Sequence, residues 1–334
     1  MPSSFVTGAT GQDGSYLCEL LAREGHEVHA LVRGGSEDEP DPGLADLLER
    51  VPGVVVHDGD LADTAGLAAL VDGIEPDEVY NLAGISSVAY SWREPAATGL
   101  LSGVAVAAVL DAAWALQERT GRAVRVVQAS SAEIFGDAEH APQDESTPVR
   151  PTSPYGAAKA YAHHMVGIYR ARGLHAASVI LYNHESPRRP PTFVTRKITQ
   201  GAARIAAGLD DVLTLGSLDV TRDWGWAPDY VDAMVAAARH DSAGDFVIAT
   251  GVPHTVEDFV RLAFSRVGIE DWQARVRTDP AFVRPADASV QLGDASRARR
   301  ELGWTPTTTF EQLVAAMVDH DVALLADGSD PSPA

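Results

Sequence analysis

The chain has 334 residues, 45% of them hydrophobic, enough for a sizeable core and for two domains or one large domain with a lobe. Its formal charge of −21 argues against nucleic acid or an anionic membrane as the main partner and confines any anionic ligand to a locally basic pocket. A lone cysteine, Cys18, excludes an internal disulfide framework, and with no basic-then-apolar leader and no apolar run near the ~20 residues of a membrane span, the sequence predicts a cytoplasmic protein.

Apolar strands alternate with helical patterns through the first half. Ser4-Phe5-Val6 forms a strand that enters the turn Gly8-Ala9-Thr10-Gly11-Gln12-Asp13-Gly14, and a helix follows from about Ser15 to Glu24. Glycines at such a junction permit a tight turn and close approach of a pyrophosphate, while the helix start offers unpaired amides. Gly8, Thr10, Gly11, Gln12 and Asp13 are therefore candidate cofactor contacts. The second strand, Glu27–Val32, ends in Arg33. An acidic residue there would bond a ribose 2′-OH and select NAD; Arg33 suits a 2′-phosphate, so NADP is favoured over NAD. The loop 34–43 carries the acidic run Glu37-Asp38-Glu39, which opposes that preference.

Val54–His57 is a third strand, followed by Asp58-Gly59-Asp60-Leu61. Asp60 and Leu61 fall where an adenine edge would lie, although Asp60 also reads as a cap for the next helix. Val79–Leu82 is a fourth strand, and the small residues of Leu82-Ala83-Gly84 let a cofactor pass. An Ala-rich helix spans Ser102–Arg119, Val124–Ala129 is a fifth strand and Ala176–Leu181 a sixth. Between the last two lies a helix from Pro154 to about Arg172, with Ser153 at its N-cap and Pro154 at its first position. This order predicts an α/β fold, a Rossmann-type doubly wound parallel sheet over residues 1–182.

Past Tyr182, helical stretches (Phe193–Ala207, Asp229–Arg239, Val256–Val267, Phe310–Ala326) alternate with Pro/Gly-rich connectors. They predict a smaller, mainly helical substrate lobe over 183–326, discontinuous because a segment near 215–250, with strand-like Phe246–Ala249, returns to the main sheet. Residues 327–334 read as a disordered tail.

Only two of the 26 basic residues are lysines, Lys159 and Lys197. Lys159 follows Tyr155 by four residues, on the same helix face. An ammonium beside a phenol lowers the phenol's pKa from ~10, which would make Tyr155 a base near neutrality. Ser131 and Glu133 follow the fifth strand at the end that faces the ligand crevice. Glu133 offers a second acid/base that a simple alcohol dehydrogenase does not need. No metal enters this reading.

These residues together resemble the extended short-chain dehydrogenase/reductase family from Phe5 to about Pro306, and within it the GDP-mannose 4,6-dehydratase branch. The specific strings are Thr7-Gly8-x-Thr10-Gly11-Gln12-Asp13-Gly14, Tyr80-Asn81-Leu82-Ala83, Gln128-Ala129-Ser130-Ser131-x-Glu133, Asn183-His184-Glu185-Ser186-Pro187-Arg188-Arg189, Thr192-Phe193-Val194-Thr195-Arg196-Lys197 and Arg222-Asp223-Trp224-Gly225. The resemblance implies an NADP-dependent lyase acting on a nucleotide-diphosphate sugar. Tyr155 would take the proton of the sugar 4-OH, Ser131 would bond that oxygen and Lys159 would hold the nicotinamide ribose. Glu133 would remove the C5 proton and help expel the 6-OH as water. The resemblance further implies cofactor contacts from Ser86, His184 and Arg189, and sugar or nucleotide contacts from Ser86, Asn183, Val194, Lys197, Leu215, Arg222, Arg284 and Asp287. Arg188 and Arg196 read as solvating surface charges.

The chain departs from the family at several points. Ser131 stands for threonine, Ile85 and Ser87 for Gln and His, Pro190-Pro191 for Gly-Glu, Trp226 and Pro228 for His and Lys, and Asp287 for glutamate. Gly34 replaces an arginine of the loop that builds a tetramer. The sequence therefore predicts a homodimer, with a tetramer as the alternative. It leaves the hexose open, with a GDP-heptose dehydratase or a same-fold epimerase or reductase as other readings.

Overall fold

The computed structural model describes residues 1–34, 41, 43–282 and 290–328. Chain order through the first half gives β1 (Ser3–Thr7), α1 (Gln12–Arg23), β2 (Glu27–Val32), α2 (Leu44–Arg50), β3 (Val55–Asp58), α3 (Thr64–Ile74) and β4 (Glu78–Asn81). Then come α4 (Val88–Arg93), α5 (Pro95–Gly99), a π-type turn (Leu100–Val104), α6 (Ala105–Thr120), β5 (Arg125–Ser131), α7 (Pro154–Ala171) and β6 (His175–Leu181). The second half adds β7 (Asn183–Glu185), α8 (Val194–Ala206), β8 (Leu213–Leu215), β9 (Thr221–Trp226), α9 (Ala227–Arg239), β10 (Asp245–Ile248), β11 (Pro253–Thr255), α10 (Val256–Arg266), β12 (Val276–Thr278), β13 (Val290–Gln291) and α11 (Phe310–Ala326).

Seven strands form one parallel sheet in the order β10-β6-β5-β4-β1-β2-β3. The order reverses between β1 and β4, and a ligand crevice opens at such a switch point beyond the carboxyl ends of the strands. One face is covered by α1, α2 and α9 through Leu17, Leu21, Leu47, Tyr230 and Met234. The other is covered by α3, α6 and α7 through Leu67, Val71, Val109, Leu110 and Val166. Strands buried on both faces read as unbroken apolar runs, which is why Ala176–Leu181 showed no alternation.

A second, smaller sheet joins β7, β9, β11 and β13, with β9 at its centre. Helices α8, α10 and α11 enclose a separate core around Trp224, Phe259, Phe264, Phe310 and Met317. Phe310 stacks between Trp224 (centroids 5.7 Å apart) and His254 (3.8 Å).

Several elements differ from the sequence reading. The first helix begins at Gln12, three residues early, directly on the Gly-rich turn. Asp63, not Asp60, caps α3: it accepts from the Gly66 amide at 2.9 Å, while Asp60 turns back to the Ala62 amide at 2.8 Å. The helical run Pro95–Thr120, 26 residues, is long and apolar enough to cross a membrane by composition, contrary to the expectation that no such run exists. Half of its most apolar 18-residue stretch is buried in the fold, and the helix packs against α3 and α7.

Candidate active site

The crevice begins at the turn after β1. Gly8 has φ +72°, and a Cβ there would lie 2.8 Å from the Ala83 nitrogen, so only glycine lets this turn lie against the end of β4. Gly11 is the N-cap of α1 and contributes no side-chain cap, which leaves the helix start open to a phosphate. Thr7 Oγ1 donates to Asn81 Oδ1 at 2.6 Å, Asn81 Nδ2 to Gln128 Oε1 at 2.6 Å and Gln128 Nε2 to the Ala129 carbonyl at 2.7 Å. This buried chain ties β1, β4 and β5 together beneath the crevice.

The segment after β6 closes over the first turn. His184 bridges the Tyr182 carbonyl (2.7 Å) and Asp13 Oδ2 (2.8 Å). Ser186 donates to Gln12 Oε1 at 2.9 Å, and Gln12 Nε2 to the His184 carbonyl at 3.1 Å. Burial opposes ionisation of Asp13, but the adjacent His184 ring, its hydrogen bond and Arg189 together hold the carboxyl below its ordinary range. Arg189 Nε donates to Glu185 Oε2 at 2.6 Å, and the guanidinium packs 4.5 Å from the centre of the Phe193 ring. Arg188 and Arg196 are not the surface charges the sequence suggested. Arg188 pairs with Glu19 at 2.6 Å and lies over the Tyr16 ring, while Arg196, 5% exposed, pairs with the fully buried Asp321 at 2.7 Å. They dock α1 and α11 to the segments on either side of Pro190-Pro191.

Ser131 ends β5 and accepts from the Glu133 amide at 3.2 Å. Helix α7 starts on Ser153, whose Oγ accepts from the Gly156 amide at 3.0 Å. A Cβ on Gly156 would lie 2.5 Å from the Glu133 carbonyl, so glycine next to Tyr155 brings the helix start against the Ser131–Glu133 turn. Tyr155 is thereby buried beside the Ser131 side chain and close to the charges of Glu133, Arg189 and Asp13. Burial pushes the Tyr155 phenol up to about 12; the Ser131 hydrogen bond and Arg189 pull it down, and Glu133 and Asp13 push it up.

That result corrects the expectation of a phenol acidified by Lys159. The Lys159 ammonium is 6% exposed, donates to the Ala129 carbonyl at 2.9 Å and stays 5.8 Å from the centre of the Tyr155 ring. Burial lowers its own pKa to about 8, despite the opposing charge of Asp13. Desolvation therefore dominates both members of the pair.

Toward the second half, Gln291 Nε2 donates to Glu133 Oε1 at 3.1 Å, and Gln291 pairs in register with Arg222 on β9. Arg222 is 5% exposed and donates to the Thr221 carbonyl at 2.8 Å. Asn183 pairs in register with Trp224 of the same strand. Lys197 Nζ lies 4.1 Å from the centre of the Phe282 ring, with Val194 half exposed one helical turn before it. Leu215 is buried behind α8 as packing. Arg284 and Asp287 lie outside the described residues.

At the cofactor's far end, Arg33 is exposed at the tip of β2. Beside it the Gly34 amide donates to Asp58 Oδ1 at 2.7 Å. Leu61, Leu82 and Ala83 are half-buried; Ser86 and Asp60 are exposed. Ser87, where the family has histidine, caps α4 by accepting from the Tyr90 amide at 3.1 Å. Sequence reasoning missed Asp58, although it stands in the string that was read for Asp60. It also missed Gln291, for which a two-residue strand gives no local signal.

The residues fit a dinucleotide: an uncapped helix start on a glycine turn, a carboxylate and arginine pair above it, and an arginine at the end of the second strand. Comparison with known proteins agrees. The family model described as GDP-mannose 4,6 dehydratase matches residues 5–317. The chain is 43% identical over 330 residues to GDP-mannose 4,6 dehydratase 1 of Arabidopsis thaliana, covering 96% of this chain and 90% of that one. Its fold matches that of UDP-glucose 4-epimerase from Thermotoga maritima, solved with UDP-glucose, at a TM-score of 0.82 and 23% identity, covering 97% and 99% of the two chains. It matches UDP-glucose 4-epimerase from Thermus thermophilus, solved with NAD, at 0.78 and 25% identity, covering 96% and 98%. By the span of the family match and the likeness to its members, the chain belongs to the GDP-mannose 4,6-dehydratase family, within the extended short-chain dehydrogenases/reductases.

Proposed function

We propose that the chain is an NADP-dependent 4,6-dehydratase that converts GDP-mannose to GDP-4-keto-6-deoxymannose. The observation that carries this reading is the meeting of a buried tyrosine, a serine hydroxyl and a carboxylate in one crevice beside the dinucleotide turn. Tyr155, held by Ser131, takes the proton from the sugar 4-OH. The bound cofactor supplies a hydride acceptor for C4, a hydride donor for C6 and, when oxidised, a positive charge that favours the phenolate. Arg189 adds positive charge near the same phenol. The 4-ketone acidifies the C5 proton, Glu133 removes it, and the 6-OH leaves as water with a proton delivered from the same carboxyl. No net oxidation occurs, because the hydride taken from C4 returns to C6 while C5 regains one proton from solvent, which balances the proton that Tyr155 took from the 4-OH and releases.

Thr10, Gly11, Gln12 and Asp13 would hold the pyrophosphate and nicotinamide side, with His184 and Arg189 above them. Arg33 would hold the 2′-phosphate. Lys197 and Arg222 would hold the diphosphate of the sugar nucleotide, and Arg284 and Asp287 its nucleoside. An apolar strip runs along the long helix and α7, with Leu100 40%, Val104 46%, Tyr161 46% and Ile168 53% exposed. It supports a homodimer, which light scattering of the purified protein would test.

The test of the reaction is incubation with a panel of nucleotide sugars and no added NADPH, followed by mass spectrometry. The reading predicts loss of one water from GDP-mannose. An isomer of unchanged mass, or product that forms only with stoichiometric NADPH, would replace it with an epimerase or a reductase.

A further inference from the structure

We infer that Gln291 is a positioning residue that holds the Glu133 carboxylate in place from the substrate half of the molecule; the inference rests on the reading of Glu133 as the C5 base. Glu133 sits on a short turn after β5, where nothing in its own segment fixes the end of its side chain. The contact comes from 158 residues away: Gln291 Nε2 donates to Glu133 Oε1 at 3.1 Å. A carboxylate only accepts, so the amide must present its NH2 here. Gln291 is 4% exposed, and its backbone is fixed on both sides. On one side it pairs with Arg222. On the other, the Leu292 amide donates to Gln143 Oε1 at 3.2 Å, and the Gln143 amide donates to the Leu292 carbonyl at 2.7 Å. Gln143 is itself buried and accepts from the Tyr182 hydroxyl at 2.8 Å.

The consequence is chemical as well as geometric. One carboxylate oxygen is held by Gln291, which leaves the other to face the sugar. With one oxygen engaged by the amide, the lone pairs of the other stay free to take the C5 proton. Because the donor sits on the strand paired with Arg222, the base is tied to the sheet that carries the candidate diphosphate contact.

The experiment compares Gln291→Leu, Gln291→Asn and Glu133→Gln with the wild type. The measurements are kcat and KM for GDP-mannose and the formation of reduced cofactor in a single turnover. Gln291→Leu is expected to lower kcat at least tenfold with KM little changed. Reduced cofactor should still form, since oxidation at C4 does not use Glu133. Gln291→Asn, too short to reach, should behave as Gln291→Leu does. Wild-type kcat in both Gln291 variants, with Glu133→Gln still stalled before elimination, would overturn the role of Gln291 and leave the base assignment standing. Normal elimination by Glu133→Gln would overturn the base assignment itself. A rise in KM alone, with kcat unchanged, would make Gln291 a structural residue of the substrate sheet and also overturn the inference.

Discussion

Replacing Lys159 by methionine should stabilise the nucleotide-free protein. A lysine ordinarily titrates at 10.5 and this one at about 8 because it is buried. At ~1.4 kcal/mol for each pH unit between them, the ammonium costs the fold about 3 kcal/mol at neutral pH. Below pH 8 both folded and unfolded chains hold the proton, so the cost is present in full. Between pH 8 and 10.5 the folded chain releases it first, so the cost shrinks as pH rises. Methionine removes the charge and loses one hydrogen bond worth about 1 kcal/mol. The Ala129 carbonyl keeps a partner in Gln128 Nε2, 2.7 Å away. The net gain at pH 7 is about 2 kcal/mol, roughly 3 °C in Tm for a chain of this size. Urea denaturation of both proteins at pH 7 and pH 10 checks this: the gain should be present at pH 7 and close to zero at pH 10. A loss of stability at pH 7, or a gain that does not change with pH, would refute the argument. The same variant should be inactive, which would show that the lysine is kept against its cost to the fold.

Tyr155→Phe should bind the cofactor normally and lose turnover by a factor of about a thousand, as expected for a general base; retained turnover would remove Tyr155 from the proton transfer. Because the phenol stands at about 12 without cofactor, difference spectra near neutral pH should show no tyrosinate in the free protein, and saturation with oxidised cofactor should lower its titration. Arg33→Ala should weaken NADP about tenfold and leave NAD unchanged, by the loss of one charge-assisted contact. Equal affinities before and after would give the choice to Asp58 and its neighbours. At the opposite end of the sheet, Arg239 joins Glu78 (2.9 Å) and Glu24 (2.6 Å). Arg239→Leu should cost about 3 kcal/mol by leaving Glu78 buried without its cation, and adding Glu78→Gln should recover most of it. Failure of the second change to rescue would assign the cost to lost packing instead.

The parallel sheet was legible because strand and helix periods alternate cleanly, and β2 and α11 fall where the residues predict. The short α2 and the two-residue β13 were not legible, since neither is long enough to show a period. The start of α7 was readable from Ser153-Pro154, and with it the face shared by Tyr155 and Lys159. What that face does electrostatically was not, because burial is a property of the packed crevice and it outweighs the neighbouring charge. The arginines misled for a similar reason: Arg188 meets Glu19 across the first helix and Arg196 meets Asp321 across the last, over separations no local pattern records. Gly156 was visible only as a residue inside Tyr-x-x-x-Lys, while its contact with the Glu133 carbonyl explains why a small residue follows the tyrosine.

An internal hydride shift from C4 to C6, coupled to proton removal at C5, separates the proposed dehydratase from an epimerase or a reductase. Its most direct test uses GDP-mannose deuterated at C4, with the product analysed by NMR and mass spectrometry. One water should be lost, the deuterium should be retained at C6 of the same molecule and, in heavy water, one solvent deuteron should enter at C5. Loss of the label to the cofactor pool, or a product with its label still at C4, would contradict it.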